Sequence, residues 1–492
     1  WLKKPPHPSK IIQLNDKLTV KLIEIDNEKR RLNCSLKLLK QNPWDKINKE
    51  FSVGDIIDTE IVNKVDFGIF VKILDEIDGM VHVSDLSWSA KSKVNSPLRF
   101  SACSCRRARH RDEKVLDYRV RLAPLRHPSR PMKITEVDVA QYRIPLSRAM
   151  SDSTYPVFDS FDLILVQLGT DEGITGIGYA KSIVDGTSIG VVVDRVLAPL
   201  LRDADPLLID DLWHRMYWRT YSLGRAGVTS MARAACDVAL WDLKGKKMGL
   251  SLCRLLGGEP KPIRSYGGGV NLRFSTEDLV EEMQQYLDMG FGAVKMKVGR
   301  QDWREDIRRV EAARKAVGDE VELLTDANVQ WTVPTAIQAA KAMDEYRIYW
   351  LEEPTHPDDV TGHRRIADAI PLPLALGESL LSKWEFQRYF EAQAVHYPEP
   401  DVGQVGGITE WMKVAAMAQG NNLPVTSHGY DEIHVQLLSA IPNASFVEYH
   451  MSRLDEFIRD PIRLVDGCLE TPDRPGHGVE FDRERLRPLR VA

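Results

Sequence analysis

The sequence predicts an α/β protein: a (β/α)8-type barrel with an α+β capping domain, preceded by a small all-β fragment. Three observations predict it. Beyond residue 260, short apolar runs alternate with helical patterns at regular intervals. Three of these runs end on acid, at Asp326, Glu352 and Glu378, 26 positions apart each time, which fits one strand, one helix and two loops per step. A further run, Ala293–Val298, carries Lys295 and Lys297. Side chains alternate along a strand, so both ammonium groups leave this apolar segment on the same face. Such a pair is costly unless something anionic faces it.

With 492 residues and ~100 to 200 per domain, two to four domains are expected. A composition of 43% hydrophobic and 28% charged residues is that of a globular chain. No run spans a membrane and no signal-peptide pattern opens the chain, so membrane and secretory classes have no support. Cys34, Cys103, Cys105, Cys236, Cys253 and Cys468 lack metal-ligand spacing, and a reducing, cytoplasmic compartment is expected. Charge divides the chain. Residues 1–131 hold 26 Lys+Arg against 17 Asp+Glu, whereas 132–492 hold 40 against 54. Lysine supplies the basic charge up to residue 96, except at Arg30 and Arg31, and arginine supplies it over 97–131. Three compositions suggest three origins.

The opening Trp1-Leu2-Lys3-Lys4 is not an initiator sequence and reads as cut from something longer. Within residues 1–96, Leu18–Ile25, a turn at Asp26-Asn27-Glu28 and Arg31–Leu36 form a hairpin pattern. A second group runs through Val53–Ile57, Phe67–Val71 and Gly79–Leu86. These groups, over residues 11–88, resemble partial RNA-binding OB-fold repeats of the largest protein of the small ribosomal subunit. Ile11–Lys40 look like the end of one repeat and Phe51–Trp88 like the start of the next. One arrangement open to them is a single, circularly permuted barrel. The resemblance places Phe67, Phe70 and His82 on a base-stacking surface and implies weak RNA binding; the rival reading is that these rings fill a small core.

Residues 97–131, rich in arginine and proline and containing Cys103 and Cys105, show no sustained period and read as a linker or non-native junction, because Met132-Lys133-Ile134 looks like a fresh start. Residues 132–259 read as the α+β capping domain. Ile134–Tyr142 and Asp162–Gln167 are strand patterns, and Val228–Gly245 is a helix with Ala232, Ala235, Cys236, Ala239, Leu240 and Leu243 on one face. Over 260–459 the barrel strands are expected near Arg264–Tyr266, Ala293–Val298, Glu322–Asp326, Tyr349–Glu352, Leu374–Glu378, Ala394–Pro398, Val425–His428 and Phe446–Glu448. Their C-terminal ends form the active face of such a barrel. The tail, 460–492, leaves the barrel and is expected to return to the capping domain.

At that face Asp326, Glu352 and Glu378 can converge, and three hard oxygen ligands suit Mg2+. Glu353 alternates away from Glu352. Asp401, after the sixth strand, is placed to bond one imidazole nitrogen of His428, after the seventh. Lys297 and His428 would then flank one metal. Glu448 closes the eighth strand, and Asn328 follows the third.

Lys295-Met296-Lys297, Asp326-Ala327-Asn328, Glu352-Glu353-Pro354, Gly377-Glu378, Asp401 with Gly406-Gly407-Ile408-Thr409, His428 and Glu448 resemble the enolase superfamily, and within it the mandelate racemase subgroup, from about Met132 onward. The resemblance implies Mg2+ on Asp326, Glu352 and Glu378 and proton abstraction beside a carboxylate. An α-proton is too weakly acidic for an unaided side chain, so a dication must stabilise the enediolate, as the resemblance implies. Lys297 is the expected base, its pKa lowered by Lys295 and the metal. Lys295 is expected on the substrate carboxylate, Glu448 as a protonated donor to the enediolate, and Asn328 as orienting Lys297 or the substrate. The polar segment Ser151–Tyr155 favours a polyol, and Arg225 is a candidate for a distal carboxylate. The expected activity is therefore that of a sugar-acid dehydratase, a lyase. A 2-hydroxy-acid racemase or epimerase is the rival isomerase reading, and RNA binding is the rival from another class. Family resemblance also implies a homo-oligomer.

Overall fold

Small residues decide how the capping domain closes. In the computed structural model, residues 17–26, 31–35, 39, 56–65, 68–74, 77–82, 119–121, 131–155, 157–450 and 453–491 are described. They divide into two units, Trp1–Arg130 and Pro131–Ala492. In the second unit, Ile134–Met150, Phe158–Thr170 and Thr175–Ser182 form an antiparallel meander. The helix Val228–Met248 lies against it, with Ala232, Ala235, Cys236, Ala239, Leu240 and Leu243 all fully buried, as its period predicts. Gly176 and Gly178 permit that contact. A Cβ on either would stand 2.2 Å from the Ala239 carbonyl oxygen or 2.0 Å from that of Ala235.

The barrel follows. Its strands are Ile263–Gly268, Ala293–Lys297, Glu322–Asp326, Ile348–Glu352, Leu374–Leu376 and Tyr397–Pro398, then a single bridge at Val425, then Val447–His450. The first and eighth strands pair in parallel and close the ring. The sixth and seventh are shorter than their apolar runs suggest. Pro398, Pro400 and Pro424 have no N–H to donate to a ladder. Three bonds carry the ring through this weak point: Thr426 N to Pro398 O (3.1 Å), and both Val425 N to Asn443 O and Ser445 N to Val425 O (2.7 Å). Inside the ring, Tyr266, Trp350 and Phe446 interlock with Ala293, Ala375 and Leu324, large against small.

Beyond the barrel, Leu464–Val465 and Cys468–Leu469 form a hairpin whose second arm pairs with Ile263 and Arg264. The chain then meets the capping sheet, where His477 Nε2 bonds Ile177 O (2.7 Å) and Val491 N bonds Gln141 O (2.8 Å).

In the first unit, Ile61–Val65, Gly68–Leu74 and Ile77–His82 form a three-stranded antiparallel sheet. Ile56–Asp58 pairs with Arg119–Arg121, so part of the arginine-rich segment is strand. Among the described residues Lys21–Asp26 and Arg31–Ser35 pair only with each other. Phe70 is half-buried; Phe67 and the His82 side chain lie outside the described residues, as do Cys103, Cys105 and the rest of 97–130. Among the described residues no helix is long and apolar enough to cross a membrane.

The capping contact gives a direct test. Gly178→Val is expected to destabilise this unit by more than about 2 kcal/mol, read as a lower denaturation midpoint at unchanged slope, because the helix backbone at Ala235 and Ala239 leaves nowhere for the side chain.

Candidate active site

Each acid reaches the mouth of the ring because the chain turns sharply beside it. Asn328 (φ 38°), Val329 (φ 60°) and Glu353 (φ 40°) take the left-handed conformation, which for a β-branched valine is strained. Gly377 (φ 149°) does the same before Glu378, and a Cβ there would stand 2.8 Å from the Glu399 backbone. Register completes the placement: Lys297 pairs with Asp326, and Asp326 with Glu352, on adjacent strands. Ligand oxygens of Asp326, Glu352 and Glu378 lie within 4.8 Å of one another.

Lys295 and Lys297 point into this group, as strand alternation requires, and both are buried. Lys297 Nζ donates to Asp326 Oδ2. Lys295 Nζ lies 2.9 Å from Glu352 Oε1, 2.8 Å from Glu448 Oε1 and 3.7 Å from Asp326 Oδ2. Burial and the adjacent Asp326 charge push the Glu352 carboxyl up to about 8, against the pull of Lys295. A cluster this short of positive charge, built from hard oxygen donors, fits a magnesium ion held by Asp326, Glu352 and Glu378. Glu353, turned away by its backbone, is not in the group.

His428 approaches the same carboxylates from the far side. Its Nδ1 is 2.8 Å from Asp401 Oδ2 and its Nε2 is 3.0 Å from Glu378 Oε2. Asp401 is held in turn by the backbone N–H groups of Gly403 (2.6 Å) and Gln404 (3.2 Å). Burial alone would lower the imidazole pKa, but Glu378 and Asp401 raise it well above its ordinary value. Glu378 is held below the usual carboxylate range, its burial outweighed by His428 and Lys297.

Two family models match this unit: mandelate racemase / muconate lactonizing enzyme, N-terminal domain, over residues 133–257, and enolase C-terminal domain-like over 278–485. A 3,6-anhydro-alpha-L-galactonate cycloisomerase of Streptomyces coelicolor is 40% identical over 73% of this chain and 99% of its own length. This chain belongs to the mandelate racemase subgroup of the enolase superfamily. An L-talarate/galactarate dehydratase of Salmonella typhimurium is 32% identical over 66% of this chain and 82% of its own. The crystal structure of L-talarate dehydratase from a Polaromonas species, complexed with Mg and L-glucarate, superposes with a TM-score of 0.69 at 34% identity, covering 73% of this chain and 98% of that one. Residues 50–115 separately match the S1 RNA binding domain model.

Several expectations need correction within this mandelate racemase-type site. Burial and Lys295 lower the Lys297 pKa, and Asp326, with Glu378 and Glu352, raises it by more; the expected lowering counts the charge of a bound metal as well. Glu448, expected to be protonated, is held well below its ordinary pKa; burial raises it, but Lys295, His450 and His428 prevail. It lies 2.8 Å from Lys295 and also accepts from Gly429 N (2.8 Å). Asn328 orients Asp326, to which its backbone N–H (2.8 Å) and its amide (3.3 Å) donate, rather than Lys297. The capping segment presents fewer available groups than its composition suggests. Asp152 accepts from Thr154 and Tyr155, and the Ser153 hydroxyl bonds the carbonyls of Ala327 and Asn328. Arg225 is exposed.

Two residues were missed. Glu399 is fully buried, accepts no hydrogen bond from the described residues, and is pushed well up in pKa by burial and Glu352. It sits in Pro398-Glu399-Pro400, where the prolines obscure the strand pattern. His450, two positions after Glu448 and so on its face, has its ring 5.8 Å from that of His428; burial draws its pKa down to about 3. Strand alternation from Glu448 was signal enough to find it.

Two measurements check this geometry. Glu352→Gln is expected to weaken Mg2+ binding at least tenfold by calorimetry, since an anionic ligand is lost. Asp401→Asn is expected to lower the pKa of His428 in an NMR titration, because removing a neighbouring anion disfavours imidazolium.

Proposed function

We propose that this enzyme dehydrates a sugar acid: Lys297 removes the proton α to the substrate carboxylate, and His428 gives its proton to the departing β-hydroxyl, which leaves as water. The enol that remains ketonises to a 2-keto-3-deoxy acid. One observation carries the reading. Lys297 is bonded to Asp326 at one end of the three-acid group and His428 Nε2 lies 3.0 Å from Glu378 Oε2 at the other, so a base and an acid flank one site. The names of the dehydratase relatives support the substrate class and the elimination.

Asp326, Glu352 and Glu378 would hold the magnesium ion, whose positive charge would offset charge developing on the substrate carboxylate and disfavour a second charge on Lys297. Lys295 remains an ammonium ion between Glu352 and Glu448, where it repels a second positive charge on Lys297 and faces the substrate carboxylate. Asp401 keeps the imidazole charged and oriented. Burial of Lys295, Lys297, Asp326, Glu352 and Glu448 limits competing proton exchange with water.

The 40% identical cycloisomerase supports a second reading, isomerisation of a cyclic sugar acid after the same proton abstraction. Incubating a panel of aldonates, aldarates and their anhydro and lactone forms with Mg2+ separates the outcomes. A keto product with loss of water supports dehydration; an isomer of unchanged mass supports cycloisomerisation; solvent deuterium at C2 without a new product supports racemisation. The S1 match supports a further role for the first unit, salt-sensitive binding of single-stranded RNA, tested by titrating a labelled oligonucleotide. Self-association is supported by the exposed Trp218, Tyr221, Leu223 and Trp384, and light scattering reads it.

Lys297→Ala and His428→Asn are each expected to reduce kcat by roughly 10³-fold or more while Mg2+ still binds. A chain starting at Met132 is expected to keep full activity per site, since both family models lie beyond that point.

A further inference from the structure

Lys297 stands where sheet pairing runs out. The first barrel strand pairs with the second only as far as Lys295, so the backbone of Lys297 has no strand on that side. Buried side chains take its place. Lys297 N donates to Asn271 Oδ1 (3.0 Å), and Lys297 O accepts from Arg309 Nη1 (2.7 Å). The backbone N–H groups of Gly299 and Arg300 both donate to Asp306 Oδ2, at 2.9 and 2.8 Å. Arg309 joins the parts, reaching Asp306 Oδ1 with Nη1 (3.3 Å) and the Asn271 carbonyl with Nη2 (2.9 Å). The Asn271 amide donates to Glu282.

Asn271, Glu282, Asp306 and Arg309 are all 3% exposed or less. Burying such groups is expensive, and apolar packing would hold two helices against a barrel at least as well. What apolar side chains cannot do is hydrogen-bond the unpaired N–H and C=O of a strand end. The same residue also meets the capping domain. Asn271 bridges Ser151, with Leu272 N bonded to Ser151 O (3.1 Å), and Ser153 rests on the carbonyls beside Asp326.

We propose that Arg309, acting through Asn271 and Asp306, is a positioning residue that fixes the backbone from which the Lys297 amine is hung and couples it to the capping segment over the mouth. This rests on Lys297 being the base. Misplacing a reacting group by about 1 Å costs on the order of 100-fold in rate.

In Arg309→Met, kcat is expected to fall roughly 100-fold, with KM and the Mg2+ Kd within about threefold of wild type. The deuterium isotope effect from α-deuterated substrate should rise as proton abstraction becomes limiting. Arg309→Lys, which restores one charged donor, should recover part of the loss. A lower Tm with kcat per folded site and isotope effect unchanged would assign Arg309 a purely structural role and overturn the proposal. A second readout needs no substrate. Amide exchange over Lys297–Arg300 should be at least about tenfold faster in Arg309→Met, or in Asn271→Ala should the first variant not fold, with Glu322–Asp326 unchanged. Equal protection in variant and wild type overturns the proposal on its own. Loosened amides in an enzyme that turns over no sugar acid would instead remove the reading of Lys297 as base.

Discussion

Two lysines and three carboxylates share one buried volume at the mouth of the ring, and the rest of the unit serves that arrangement. Charges so close and so poor in water interact strongly, and neither set is tolerable without the other. Lys295 and Lys297 supply positive charge to the acids, and the acids raise both lysine pKa values against the opposing effect of burial.

The fold delivers these groups by register and by turns. Adjacent parallel strands set Lys297 beside Asp326 and Asp326 beside Glu352, and left-handed residues directly after the strands keep the carboxylates at the rim. Beyond the last backbone partner of Lys297, a side-chain clamp replaces the sheet. On the opposite side the ring is thin, held at Val425 by a bridge and a few loop bonds, and there His428 is secured by Asp401.

Strand period and spacing carried most of this in one dimension. The acids at 26-residue intervals and the Lys-x-Lys pair are periodic signals, and the helix face from Ala232 to Leu243 follows the same logic. Ionisation states were not legible, because they depend on which neighbours meet in space. Glu448 was read as protonated since Lys295, far away in sequence, could not be seen to pair with it. The Ser151–Tyr155 segment misled for a related reason: composition counts hydroxyls without showing that backbone carbonyls already engage one of them. Arg309 and Asp306 lie on an ordinary amphipathic helix, Trp303–Val317, and carry no motif. Glu399 was hidden by its prolines.

The central claim is that a dication and the lysine protons compete for the same carboxylates. Calorimetric titration of Mg2+ at pH 7.5, in buffers of differing ionisation enthalpy, counts the protons released on binding. The account predicts release on the order of one proton per ion, reduced in Lys297→Met. Binding with no proton release, the same in wild type and variant, would contradict it.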